Sequence, residues 1–99
     1  MLESQIKKQI KAALLQKYPV AVWYKIHGGP QQERGIPDII GCYHGRFVAM
    51  EIKRPGADYR EPTPYQRKQI TDIKMAGGVT GVVTSVEEAL ELMKKYFSR

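Results

Sequence analysis

Residues 35–55 read GIPDIIGCYHGRFVAMEIKRP, and the fold turns on how this stretch is divided. His44-Gly45 separates two runs, 37–43 and 46–53, rich in the β-branched and aromatic residues that strands favour. A two-residue turn there makes them an antiparallel hairpin with Tyr43 facing Arg46. Stepping back along both strands sets Asp38 opposite Glu51, with Cβ atoms roughly 4.5–5.5 Å apart. A longer turn or a bulge would draw the two acids apart. Alternation places Ile40, Cys42, Phe47 and Ala49 on one face and Ile39, Val48, Met50 and Ile52 on the other. Both faces are apolar, as in a sheet covered by helices on both sides.

The flanking segments supply those helices. Residues 2–17 read as an amphipathic helix, with Leu2, Ile6, Ile10, Ala13 and Leu14 at three- and four-residue spacing. Tyr18-Pro19 ends it, since the residue before proline resists helical angles. VAVWYKI, 20–26, reads as a strand, and HGGPQQERG as a polar loop. RPGADYREPT is a second loop. Thr63 and Pro64 then open a helix that runs to Met75 and stops at Gly77-Gly78. Residues 79–84 form a short strand. Ser85 and Glu88 form a capping box for a last helix that turns Ala89, Leu90, Met93 and Phe97 inward. The order is α-β-β-β-α-β-α, an α/β sandwich around a mixed sheet.

At 99 residues the chain reads as a single domain, 1–99, with nothing that marks a linker, a repeat or a low-complexity tract. The hydrophobic fraction of 42% excludes disorder. Sixteen Lys and Arg against ten Asp and Glu give a formal charge of +6, with a pI near 9.6, which points to a polyanionic partner and first to nucleic acid. Cys42 is the one cysteine, so an internal disulfide and a cysteine-based zinc site are excluded, and a reducing cytoplasmic setting suits the chain. Its place in an apolar strand predicts burial. No apolar run approaches the ~18 residues of a membrane span, and the N-terminus is too polar for a secretory signal.

Two acids facing each other across a hairpin repel, and something must compensate them. A divalent cation would do so, and oxygen-only donors favour Mg2+ or Mn2+ over zinc. Lys53 follows Glu51 by two residues and shares its face. Its ammonium could hold an attacked phosphate, or position and activate a water. Acid, acid and lysine around a metal suit phosphodiester hydrolysis. An isolated E-x-K on a strand is more often a surface ion pair worth under ~1 kcal/mol, so the weight rests on the Pro-Asp that precedes the hairpin.

Gly35-Ile36-Pro37-Asp38, twelve residues, then Glu51-Ile52-Lys53 resembles the PD-(D/E)xK nuclease signature, and the element order resembles that superfamily's restriction-endonuclease-like core. More narrowly, nearly the whole chain, from Glu3 to GGVTGVVTSVEEAL, resembles the VRR-NUC domain, the virus-type replication-repair nuclease. The resemblance implies that Asp38 and Glu51 are metal ligands, with the Ile52 carbonyl as a possible third, and that Lys53 is the catalytic lysine. Gln66 matches a glutamine near the site in that family; it is also the third residue after the Thr63 cap, and one side chain is not expected to serve both. Glu3 matches the glutamate of the first helix, expected to reach the metal directly or through water. A charge favoured by the helix dipole is its simpler account.

Arg34, Arg54, Arg60, Arg67 and Lys68 flank this region in sequence and are candidate phosphate contacts. Lys7, Lys8 and Lys11 read as the solvated face of the first helix. Trp23 and Tyr24 suit the core or a subunit contact, and His27 and His44 suit loop and turn. The Gly28-Gly29-Pro30 loop lacks the lysine and helix of a phosphate-binding P-loop. The stand-alone members of the resembled family imply a Mg2+- or Mn2+-dependent endonuclease, resembling Holliday-junction resolvases, that works as a homodimer on branched DNA. The alternatives are a nuclease for flap, nicked or linear DNA that needs a partner, and a nucleic-acid-binding module without activity.

Overall fold

The computed structural model of the chain describes residues 2–56 and 60–98, so residues 57–59 of the expected second loop lie outside the described residues. The elements follow the expected order: α1 (Glu3–Lys17), β1 (Val22–Lys25), β2 (Ile39–Tyr43), β3 (Arg46–Ile52), α2 (Pro64–Met75), β4 (Val79–Val83) and α3 (Val86–Phe97). They build a four-stranded sheet in the order β1-β2-β3-β4, antiparallel except for the parallel pairing of β3 with β4.

The hairpin closes where the sequence places it. Tyr43 pairs with Arg46, and the register holds back to Ile39 with Met50. His44 (φ 51°) and Gly45 (φ 77°) both take the left-handed conformation, which a type I′ turn demands of its two central residues. The Tyr43 and His44 rings meet edge to face at 4.1 Å, and His44 has the turn role expected of it. β1 is shorter than residues 20–26, because Pro19 and Val20 lie in a turn and pairing to β2 runs only from Val22 to Lys25.

One sheet face carries the core. Ile39, Val48, Met50, Ile52, Val79 and Val83 project from it onto Ile6, Ile10 and Leu14 of α1 and onto Ala89 and Met93 of α3. Leu90 and Phe97 pack at its margin, whereas Leu2 is exposed despite its place in the apolar spacing. Each of the larger side chains removed from water contributes roughly 1.5–3 kcal/mol. Trp23 is buried here as well, opposite Gly41, where a larger residue would collide with its ring.

The other face departs from expectation. Helix α2 covers it only over β3 and β4, where Ala49, Thr80 and Glu51 are buried. Over β1, β2 and the first residues of β3 it is open: Val22, Tyr24, Cys42 and Phe47 are exposed. Cys42 is therefore not a buried packing residue. The described residues form three helices, and with α1 and α3 side by side on the core, α2 alone cannot roof four strands. Among the described residues no helix is long and apolar enough to cross a membrane.

Candidate functional site

Three elements meet where β3 ends. Ile39–Met50 is the last regular pair of the hairpin, and one step further the chain places Asp38 beside Glu51. Asp38 is held at both ends. Its main-chain carbonyl accepts from the Ile26 amide at 2.8 Å, and its Oδ2 accepts from the Ile52 amide at 2.8 Å. The residue named for a possible carbonyl ligand, Ile52, thus also orients the first acid through its N–H. Lys53 continues the chain, with its amide bonded to the Val83 carbonyl at 3.0 Å.

Glu51 is 3% exposed. Its Oε2 accepts from Gln66 Nε2 at 3.1 Å and lies 3.9 Å from Lys53 Nζ. Its Oε1 is buried and receives no hydrogen bond from the described residues. Burial pushes the Glu51 carboxyl up to about 9, and the hydrogen-bonded, negatively charged Asp38 adds to the rise, while Lys53 and Lys7 pull against it. Two carboxyls this close in a shielded place cannot both ionise without a cation, and one keeps a proton that the other accepts.

Gln66 overturns the expectation that it must choose. Its Oε1 accepts from the Thr63 amide at 2.8 Å, Thr63 Oγ1 accepts from the Gln66 amide at 3.2 Å, and its Nε2 still reaches Glu51. A side-chain amide has two ends of opposite character, so the capping box aims the donor at the acid. The second expected box is only half formed. Ser85 Oγ accepts from the Glu88 amide, but the Glu88 carboxylate reaches past Ser85 to Thr84 N at 2.7 Å and Thr84 Oγ1 at 2.9 Å. Those bonds and Arg60 outweigh desolvation and hold Glu88 below the usual carboxylate range.

Helix α1 brings a residue that was not expected. Among the described residues no three His, Cys, Asp or Glu side chains form a group that could hold a metal. Lys7, one turn on from Glu3, puts its ammonium 2.9 Å from Asp38 Oδ1 and is not part of a solvated face. It sits at the margin of the Ile6–Ile10–Leu14 stripe, where a long stem can lie along apolar surface and carry its charge beyond it.

The candidate phosphate contacts scatter. Arg34 lines a cleft of about 260 Å³ that runs from the Gly28-Gly29 loop to Asp38, and donates to Tyr65 Oη at 3.0 Å with its guanidinium over that ring. Arg54 follows Lys53 and is half-buried. Arg60 bonds Thr84 and Glu88 on the far side of β4, Arg67 bonds Glu61, and Lys68 pairs with Asp72 at 2.7 Å. His27 is exposed in the loop.

Gly35 sets the spacing between the Asp38 segment and α2. Its φ is 79°, and a Cβ there would overlap the main chain of Tyr65 and Gln66. Gly35→Ala is expected to cost about 1–3 kcal/mol in urea unfolding, the range for a strained backbone position. A loss below about 0.5 kcal/mol, the scale of an ordinary surface change, would show that α2 can back away from the loop.

The donor set fits a hard divalent cation: two adjoining carboxylates, oxygen atoms only, and one buried oxygen that no donor among the described residues reaches. No family model matches the chain, and no curated protein does. Among solved structures, one described as a VRR_NUC domain is similar, with a TM-score of 0.68 and 17% identity over 92% of this chain and 97% of that one. At that identity the likeness is one of fold. The α-β-β-β-α-β-α chain with its mixed sheet has the VRR_NUC fold.

Proposed function

We propose that the chain is a nuclease that hydrolyses DNA phosphodiesters at Asp38, Glu51 and Lys53 with Mg2+ or Mn2+, and that it acts as a homodimer on branched DNA. One observation carries the reading: a glutamate almost wholly withdrawn from water is pressed against a second acid, and no donor among the described residues reaches its Oε1. A purely structural core has no use for that arrangement, which costs stability unless a cation enters. The fold similarity and the charge of +6 support the choice of substrate.

Asp38 and Glu51 would hold the ion, with the Ile52 carbonyl as a further donor. When bound, such an ion polarises the phosphoryl oxygen and lowers the pKa of an attacking water. The protein's own groups do the rest. The Ile52 amide and the Gln66 side chain fix one oxygen of each acid, so the other oxygen of each is held in place with little loss of rotamer entropy on binding. Lys53, with a side chain 15% exposed, holds a positive charge at the edge of the pair, where a phosphate or a water would be oriented. Arg34 would steady the DNA strand in the adjoining cleft through its phosphates. The open apolar face of β1 and β2 supports a subunit contact, and a two-fold dimer presents two sites to a symmetric junction.

The test is cleavage of a labelled four-way junction beside linear and flapped duplexes, with Mg2+, Mn2+ or EDTA. Paired, symmetric nicks in the junction that EDTA abolishes are expected. Equal cutting of linear or flapped DNA would replace the substrate and keep the chemistry. Binding without cutting under any metal would sink the stand-alone enzyme.

A further inference from the structure

Asp38 has two carboxylate oxygens, and both are taken. Oδ2 accepts the Ile52 amide at 2.8 Å, a bond within the sheet framework. Oδ1 meets Lys7 Nζ at 2.9 Å. A cation that joins the acid pair must therefore share or take over Oδ1. Metal–oxygen distances for these ions are about 2.0–2.2 Å, so an ammonium kept on the same oxygen would stand within a few ångströms of the metal. Like charges that close, in a place partly screened from water, repel strongly.

Lys7 can leave. Its side chain is 27% exposed and reaches Asp38 from the rim of α1 on a flexible stem. Glu3 stands one turn back, at the i,i+4 spacing where a glutamate N-terminal to a lysine makes a favourable pair. Lys8, next in sequence, is exposed and outside this geometry. We infer that Lys7 is a tethered counter-ion of the site: it steadies Asp38 and is displaced by the divalent ion, and so sets the metal concentration at which the site fills. The inference rests on the metal-dependent reading above, and it makes Lys7 a positioning residue rather than a catalytic one.

Calorimetric titration of the chelator-treated full chain with Mn2+, without DNA, tests it. The proteins are wild type, Lys7→Met, Lys7→Gln, Lys8→Met as the charge-matched control, and Asp38→Asn to identify the site. Both Lys7 substitutions are expected to tighten Mn2+ binding about tenfold, and Lys8→Met to change it less than about twofold, as a solvent-screened charge would. The rise in Tm on adding Mn2+ is expected to be larger in the Lys7 variants than in wild type, by the same linkage. A merely structural lysine would weaken binding when removed. Unchanged or weaker Mn2+ binding in folded Lys7 variants overturns the inference while the metal reading stands. Absence of any Asp38-dependent Mn2+ binding in all the proteins removes both.

Discussion

Lys53→Ala is expected to lower metal-dependent cleavage by about 10²–10³-fold, the scale at which a single preorganised charge or donor at a reacting group is measured. The reason lies in where the ammonium is held. Its stem leaves β3 immediately after the strand ends, its amide is tied to the Val83 carbonyl, and its Nζ stands 3.9 Å from Glu51 Oε2 in a largely shielded position. A charge fixed there acts in a medium less polarisable than water and pays no reorganisation as the phosphate gains charge. DNA binding is expected to change little, since one cation of sixteen is removed and the salt dependence falls by at most about one phosphate contact. Lys53→Arg separates charge from geometry: a planar guanidinium retains the charge but not the compact point of an ammonium, so its rescue should be partial. Cleavage within about threefold of wild type in Lys53→Ala would leave Lys53 as a surface ion pair and move the chemistry elsewhere.

Much of this site could be read from the chain because the hairpin leaves little freedom. Once His44-Gly45 is a two-residue turn, every pair back to Ile39–Met50 is fixed, and Asp38 and Glu51 must adjoin. The start of α2 was equally legible, since Thr63 and Pro64 satisfy the first turn of a helix in chemically specific ways. What escaped was how far each face is covered. Strand alternation says which side Cys42 and Phe47 occupy, but not whether a helix lies over them, and α2 leaves both exposed. Lys7 escaped for a related reason: helical spacing marks the centre of the buried stripe well and its margins poorly. The double use of Gln66 was excluded by treating its amide as one group, when its oxygen and nitrogen point to different partners.

Glu51→Gln should stabilise the fold and abolish its chemistry together. In the folded chain the carboxyl keeps its proton to about pH 9, chiefly because it is buried and then because Asp38 lies against it. In the unfolded chain the same group ionises near 4.5. Between those values the unfolded state binds fewer protons at this group than the folded one, so the Glu51 contribution to wild-type stability in chelator falls as pH rises from about 4.5 to about 9, with no further loss above that. An amide of the same shape does not titrate. Its oxygen accepts from Gln66, and its NH₂ can supply the hydrogen bond that the Glu51 proton gives Asp38. At pH 8 the variant is expected to exceed wild type by about 2–4 kcal/mol in urea unfolding, and at pH 5 to match it closely. Glu88 works in the opposite direction but at acid pH, where its depressed carboxyl loses its bonds to Thr84 and Arg60, so it is common to both proteins and leaves their difference intact. Cleavage by the stabilised variant should fall to background, because a neutral amide gives a divalent ion no charge to bind. A variant less stable than wild type at pH 8, or one with the same slope, would mean that Glu51 is ionised in the folded chain and that the Lys7 and Lys53 ammoniums already neutralise the pair.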